Sequence, residues 1–78
     1  MVVAMREAHP AYHHPMTLPA QYHGHRCQIR NTRGNTGAII IRPGTTVVWP
    51  GETHTLDVDD RVTVEGEGRA DSYTVRIV

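Results

Sequence analysis

The stretch YHGHRCQ, residues 22–28, holds the residue types in this sequence that are best suited to chemistry. His23, His25 and Cys27 alternate with other residues, and an extended backbone places alternate side chains on one face. Imidazole nitrogens and a thiolate are zinc ligands, so the pattern could form part of a metal site. The alternative is a histidine-rich segment that contacts a partner by stacking and hydrogen bonding.

The details of this stretch favour contact with a partner over metal binding. A fourth zinc ligand would have to come from His13 or His14, and the spacing lacks the paired Cys-x-x-Cys or His-x-x-x-His hooks of zinc fingers. Gly24 also leaves the backbone between the ligands flexible, so a metal site would not be preformed. We predict no cofactor and no bound metal, with the three alternating residues as the ligand candidates if a metal does bind.

Length and composition predict one small domain. The chain has 78 residues and 38% hydrophobic residues, and no apolar run approaches the roughly 20 residues that a membrane helix requires. The N-terminus lacks the basic start and long apolar run of a signal peptide. A single cysteine excludes an internal disulfide framework and fits folding in a reducing compartment. Because no apolar run is long enough to span a bilayer, we expect no membrane association.

The formal charges divide the chain into two unlike parts. Residues 1–42 hold five arginines and one acid, which gives +4, whereas residues 43–78 hold three arginines and seven acids, which gives −4. One interpretation is a chance partition of solvated charges. The other is a basic segment that lies on an acidic surface, either of a neighbouring copy or of a different partner.

The pattern of residues predicts an extended arm followed by a β-module. Residues 1–26 contain three prolines and five of the six histidines, with no periodic apolar pattern, so they are expected to form an extended arm. From residue 27 to 78, short runs of alternating apolar residues are separated by turn residues such as Pro43-Gly44 and Pro50-Gly51. This predicts an all-β fold, a small β-sandwich or barrel of five to six short strands.

The apolar residues of this module are few for a stable monomer. The chain has no Phe and one Trp, and it lies in the size range where a hydrophobic core is barely sufficient. Apolar strands left unpaired at a sheet edge would also adhere to other chains. We predict that the protein is a homo-oligomer, with Ile39, Ile41, Val48 and Trp49 in the core or in self-association.

No arrangement of residues indicates catalysis. The glycines occupy turn positions and no glycine-rich loop precedes a helix. Asp57, Asp59 and Asp60 are typical of a solvated turn between strands, and a small β-module offers Cys27 no deep pocket. We predict that the protein is not an enzyme.

Binding to nucleic acid or to a metal ion is the alternative function. Tyr12, Tyr22, Arg26, Arg30 and Arg33 could form a strip that stacks on bases and contacts phosphates, and a small β-barrel is a suitable platform. The acidic second half of the chain and the lack of an aromatic ribonucleoprotein motif argue against nucleic acid as the partner.

The segment IIIRPGTTVVWPGETHTLDVDDRVTVEG, which covers about half of the chain, resembles the small capsid-decoration (cement) and auxiliary virion proteins of tailed bacteriophages. The resemblance lies in the rhythm of a Pro-Gly turn, a strand, a PGET turn and a further strand. It implies a non-enzymatic structural protein, made in the host cytoplasm and placed on the capsid surface of the virion. Such a protein often forms a trimer and staples neighbouring subunits of the major capsid protein, with its arm along the shell.

The residues predicted for contact with the capsid lattice are Tyr12, Tyr22, His23, His25, Arg26 and Arg30. Each can stack, hydrogen-bond or carry positive charge, and histidines would make the contact sensitive to pH near 6–7.

Overall fold

The computed structural model describes residues 7–78 and shows an all-β protein, as the sequence predicts. Its strands are β1 Glu7–Pro10, β2 Met16–Thr17, β3 His25–Asn31, β4 Ile39–Arg42, β5 Thr46–Val48, β6 Thr53–Val58, β7 Thr63–Gly66 and β8 Ser72–Ile77. They form two four-stranded antiparallel sheets, with the orders β1-β8-β3-β6 and β2-β7-β4-β5. A single turn of 3-10 helix, Ala20–Tyr22, precedes β3. No helix within residues 7–78 is long and apolar enough to cross a membrane.

The sequence predicts five to six strands from residue 27 onward; six are present, the first of which begins at His25, and their turns have the expected chemistry. β6 coincides with the alternating stretch THTLDV. Between β5 and β6 the N–H of Glu52 donates to the carbonyl of Trp49 at 2.9 Å, which closes a turn around Pro50-Gly51. Gly51 has φ +86°, a value that glycine adopts without strain, while proline presets the preceding φ.

One strand differs from its expected environment. The run of three isoleucines in β4 predicts a strand covered on both faces. Ile39 and Ile41 are buried, but Ile40 is only half-buried on the outer face. The reason is that the second sheet packs against the first on one side alone.

The core lies between the two sheets. Its buried members are Ala11, Leu18, Tyr22, Cys27, Ile29, Ile39, Ile41, Val48, Val58, Val62, Val64, Tyr73 and Val75. Three of these, Ala11, Leu18 and Tyr22, come from the segment before residue 26. That segment therefore supplies part of the apolar volume that the β-module alone lacks.

A separate extended arm over residues 1–26 is not confirmed. Residues 7–10 pair with β8 and residues 16–17 pair with β7, so the segment adds an edge strand to each sheet. The prolines fit this arrangement because Pro10 ends an edge strand, where a missing N–H costs no ladder hydrogen bond. The boundary expected at residue 26 falls inside β3. Residues 1–6 of the predicted arm lie outside the described residues.

Candidate binding surfaces

The outer face of the first sheet presents a group of arginines. Along β3 the side chains of Cys27, Ile29 and Asn31 point into the core, so those of Arg26 and Arg30 point outward. The intervening Gln28 shares this outer face. Alternation in a half-buried strand is enough to explain the placement.

Strand pairing brings a third arginine to the same face. Arg76 on β8 lies directly opposite Gln28, and Thr74 lies opposite Arg30. Arg76 is thus the diagonal neighbour of Arg26 and of Arg30, a separation of about 7–8 Å that long side chains can span. We call Arg26, Arg30 and Arg76 the basic face.

Little on this face neutralises the arginines. Asp57, opposite Arg26 on β6, is the one acid at the outward positions of β1, β3, β6 and β8. Arg26 Nη1 lies 3.3 Å from Asp57 Oδ1, but the two side chains are 58% and 82% exposed. Solvent screening leaves such an exposed pair worth at most about 1 kcal/mol. Most of the other outward side chains are hydroxyls, from Thr53, Thr55, Ser72 and Thr74.

Two polar atoms of the basic face and its surroundings have no hydrogen-bond partner within residues 7–78. They are Arg76 Nε and Thr74 Oγ1, and both are shielded from solvent. Buried polar atoms are nearly always paired in folded proteins, since an unpaired one costs about 1–3 kcal/mol. Two such atoms two residues apart on β8 mark this part of the sheet as unusual.

A second surface, on the other sheet, is apolar. Val47 on the edge strand β5 is 45% exposed, and Trp49, the first residue after that strand, is 60% exposed. Ile40 lies opposite Val47 on β4. We call these three residues the Trp49 patch. An exposed apolar group beside an unpaired strand edge is a typical place for association.

A third feature is a shallow groove between the edge strands β1 and β2. It has a volume of about 200 Å³ and is lined by His9, Pro10, Tyr12, Met16, Thr17, Pro19 and Tyr73. Pockets for drug-sized ligands measure roughly 300–1,000 Å³, so this groove accommodates only a small group. The centroid of the His9 ring lies 5.5 Å from the ring centroids of both Tyr22 and Tyr73.

A hydrogen-bonded chain of side chains lies behind the groove. His9 Nε2 and the Tyr22 hydroxyl are 2.9 Å apart, and that hydroxyl donates to Glu7 Oε2 at 3.1 Å. Gln21 Nε2 donates to the same carboxylate oxygen at 2.8 Å. Burial raises the pKa of Tyr22 above its usual value, and the neighbouring Glu7 carboxylate acts in the same direction. These hydrogen bonds hold the N-terminal segment against the core.

The three metal-capable residues of the opening stretch have different environments. Cys27 is fully buried, and burial raises the pKa of its thiol, which disfavours the thiolate that a metal requires. His23 Nε2 is hydrogen-bonded to the carbonyl of Leu18 at 3.1 Å, and His25 is exposed at the start of β3. Within residues 7–78 no group of three or more His, Cys, Asp or Glu side chains could hold a metal ion.

The residues predicted for partner contact also separate. Tyr22 is only 4% exposed, so its expected role at a surface is corrected: its ring packs in the core and its hydroxyl holds Glu7. Tyr12 is 47% exposed at the groove. Arg26 and Arg30 do come together, on the basic face.

The four residues predicted for the core or for self-association differ in burial. Ile39, Ile41 and Val48 are buried, whereas Trp49 is exposed. Sequence reasoning did not select Arg76 as a site residue. The alternation in SYTVRI could have indicated it, because Thr74 and Arg76 lie on one face of the strand and Tyr73 and Val75 lie on the other.

Comparisons of the chain with known protein families, with characterised proteins and with solved structures find no match.

Proposed function

We propose that the protein is a non-enzymatic structural protein of a tailed-phage virion, which attaches to the outer capsid lattice and reinforces it. The observation that carries the proposal is the presence of two chemically different surfaces on one small module. The basic face belongs to the first sheet and the Trp49 patch to the second. One copy can therefore hold two different neighbours at once, as a connecting protein must.

Self-association is assigned to the Trp49 patch. A Trp side chain buries more apolar surface than most others, and here 60% of Trp49 is exposed. The adjoining strand β5 has only three residues, and no strand within residues 7–78 pairs with its outer edge. Contact between copies would remove both the apolar surface and part of the free edge from water. A trimer is the form that the resemblance to decoration proteins implies.

Attachment to the lattice is assigned to the basic face and to the exposed residues of the N-terminal segment. Arg26 and His25 are exposed at the start of β3, and Tyr12 is exposed at the groove. A lattice repeats the same weak contact many times, so modest affinity per copy becomes strong collective binding when copies are also joined to one another.

The small size and apolar lining of the groove support a role without catalysis. Its walls are two prolines, a methionine, two tyrosines and Thr17, and its one imidazole, that of His9, is hydrogen-bonded to Tyr22. A catalytic site needs a positioned acid, base or nucleophile facing a bound substrate.

The proposal is tested on purified virions of a tailed phage whose genome carries the gene for this chain. Quantitative mass spectrometry of purified particles is expected to find the protein at a copy number comparable to that of the major capsid protein. Particles made without the gene are expected to release their DNA at a lower temperature, and added protein is expected to restore the wild-type value. Absence of the protein from purified particles would refute a role in the virion.

Self-association has its own test. Light scattering is expected to give a trimer for the wild-type protein and a monomer for Trp49→Ala. Tyr12→Ala serves as the matched control because it removes another exposed aromatic ring, on the opposite edge, and should leave the trimer intact. A wild-type protein that remains monomeric at all concentrations would contradict the assignment.

A further inference from the structure

We infer that the basic face docks onto a carboxylate-bearing surface of a partner protein. This inference rests on the proposed function and names the chemistry of the surface that the protein would contact. Three observations support it: the balance of charge, the absence of rings on the face, and the unpaired atoms on β8.

The charge balance favours an acidic protein surface over a nucleic acid. The three arginines of the basic face and Asp57 together give +2. Since the whole chain has a net charge of zero, the rest of it carries −2. Nucleic-acid-binding domains are generally basic overall, whereas this chain has no net charge. A local acidic patch on a protein has the sign that the basic face attracts.

The residue types of the face point the same way. Its outward side chains are arginines, hydroxyls, an amide, one carboxylate, an alanine and a proline, and none is aromatic. The rings lie elsewhere: Tyr22 and Tyr73 in the core, Tyr12 at the groove and Trp49 on the second sheet. Proteins that bind single-stranded nucleic acid stack its bases on aromatic side chains. This face has no such platform.

The unpaired atoms specify what the partner must supply. Arg76 Nε is a donor, and the Thr74 hydroxyl can donate as well. An ionised carboxylate only accepts, and its two oxygens match the planar fork of a guanidinium. Side-chain rotamers commonly change when an interface forms, so docking can bring both donors to an approaching acidic side chain.

Binding to a defined acidic polymer tests the inference. The probe is fluorescently labelled poly-L-glutamate, with an oligo(dT) of equal charge as the comparison, in about 10 mM salt, where the Debye length is about 30 Å. Fluorescence anisotropy reports the affinity. The wild-type protein is expected to bind poly-L-glutamate more tightly than oligo(dT).

The variants give the result its specificity. Arg30→Gln combined with Arg76→Gln removes two charges from the basic face, and we expect at least a tenfold loss of affinity for poly-L-glutamate. Arg33→Gln combined with Arg69→Gln removes the same charge from two exposed loops and should change the affinity by less than about twofold. Circular dichroism melting verifies that both double variants are folded.

Each opposing outcome has a definite meaning. An equal loss in the loop variant would show attraction by net charge alone and would overturn a specific face. Tighter binding of oligo(dT), lost in the Arg30/Arg76 variant, would make the face a nucleic-acid site instead. If the protein is present in virions but the face variant still binds poly-L-glutamate normally, this inference fails while the capsid role stands. If binding depends on the face but virions lack the protein, only the capsid role fails.

Discussion

The side-chain amide of Asn31 donates a hydrogen bond to the backbone carbonyl of Val48 at 2.8 Å, and this contact joins the two sheets. Asn31 lies at the end of β3 in the first sheet and is fully buried, whereas Val48 ends β5 in the second. The same amide donates to the carbonyl of Gly37 at 3.1 Å, and the side-chain amide of Asn35 donates to Asn31 Oδ1. The amide nitrogen of this buried side chain thus has two acceptors and its oxygen has one donor, and the Val48 contact reaches the second sheet.

We expect Asn31→Ala to lower the free energy of unfolding by about 2–4 kcal/mol, because the buried Val48 carbonyl and the partly buried Gly37 carbonyl would lose their donor and a cavity would form. Urea denaturation measures the change. Gln28→Ala is the matched control, since Gln28 is an amide on the same strand with an outward side chain, and it should cost less than about 0.5 kcal/mol. Equal effects of the two substitutions would contradict a structural role for the Asn31 contacts.

Gly68→Ala is expected to destabilise the protein severely. A Cβ atom at Gly68 would overlap the Oδ2 atom of Asp71. Asp71 cannot move freely, because its two carboxylate oxygens accept hydrogen bonds from the N–H groups of Thr36 and Gly37, both at 3.0 Å. The expected result is a loss of several kcal/mol or failure to fold.

Gly34→Ala provides the control for this substitution. A Cβ atom there meets nothing within 4 Å, and Gly34 is not among the glycines with positive φ. The melting temperature of the Gly34→Ala variant should equal or slightly exceed that of the wild type, since alanine restricts the unfolded chain more than glycine does. A stable Gly68→Ala protein would mean that the Asp71 loop adjusts at little cost.

Leu18→Ala tests whether the N-terminal segment belongs to the core. Leu18 is 2% exposed and packs with residues of both sheets, so its truncation should cost about 3 kcal/mol. Met16→Ala, two residues earlier and 41% exposed, should cost less than about 1 kcal/mol. Thermal melting by circular dichroism measures both. If the two variants melt together with the wild type, the segment is only loosely attached, as the predicted arm would be.

Alkaline pH is expected to weaken the fold through Tyr73. Burial raises the pKa of Tyr73 to about 12, with Tyr22 and Tyr12 contributing in the same direction, whereas a tyrosine in the unfolded chain titrates near 10. Below pH 10 both states keep the proton and the full stability is present. Between about pH 10 and 12 the unfolded chain releases the proton first, so the free energy of unfolding falls as the pH rises.

Tyr73→Phe should make this alkaline decline shallower while leaving stability near pH 7 almost unchanged. Part of the decline should remain, because burial also raises the pKa of Tyr22. Urea midpoints measured from pH 8 to 12 give the comparison. Identical pH profiles for the two proteins would show that Tyr73 is not the group responsible.

The candidate surfaces were only partly predictable from the sequence. The sequence predicts Arg26 and Arg30 as contact residues, and their common face follows from alternation along one strand. Arg76 is not among the predicted contact residues, because it is separated from them by about fifty residues and joins them only when β8 pairs with β3. The prediction of Tyr22 at the surface is wrong because an aromatic residue among prolines and histidines carries no periodic signal of burial.

The sequence by itself determined the strands and turns of residues 27–78, because alternation of apolar residues and Pro-Gly pairs act over only a few neighbouring residues. The tertiary structure alone decided that residues 7–22 complete the core and that β8 lies between β1 and β3. Those results depend on which distant segments bury the most apolar surface together, and a short irregular segment carries no local pattern that records its place in a sheet.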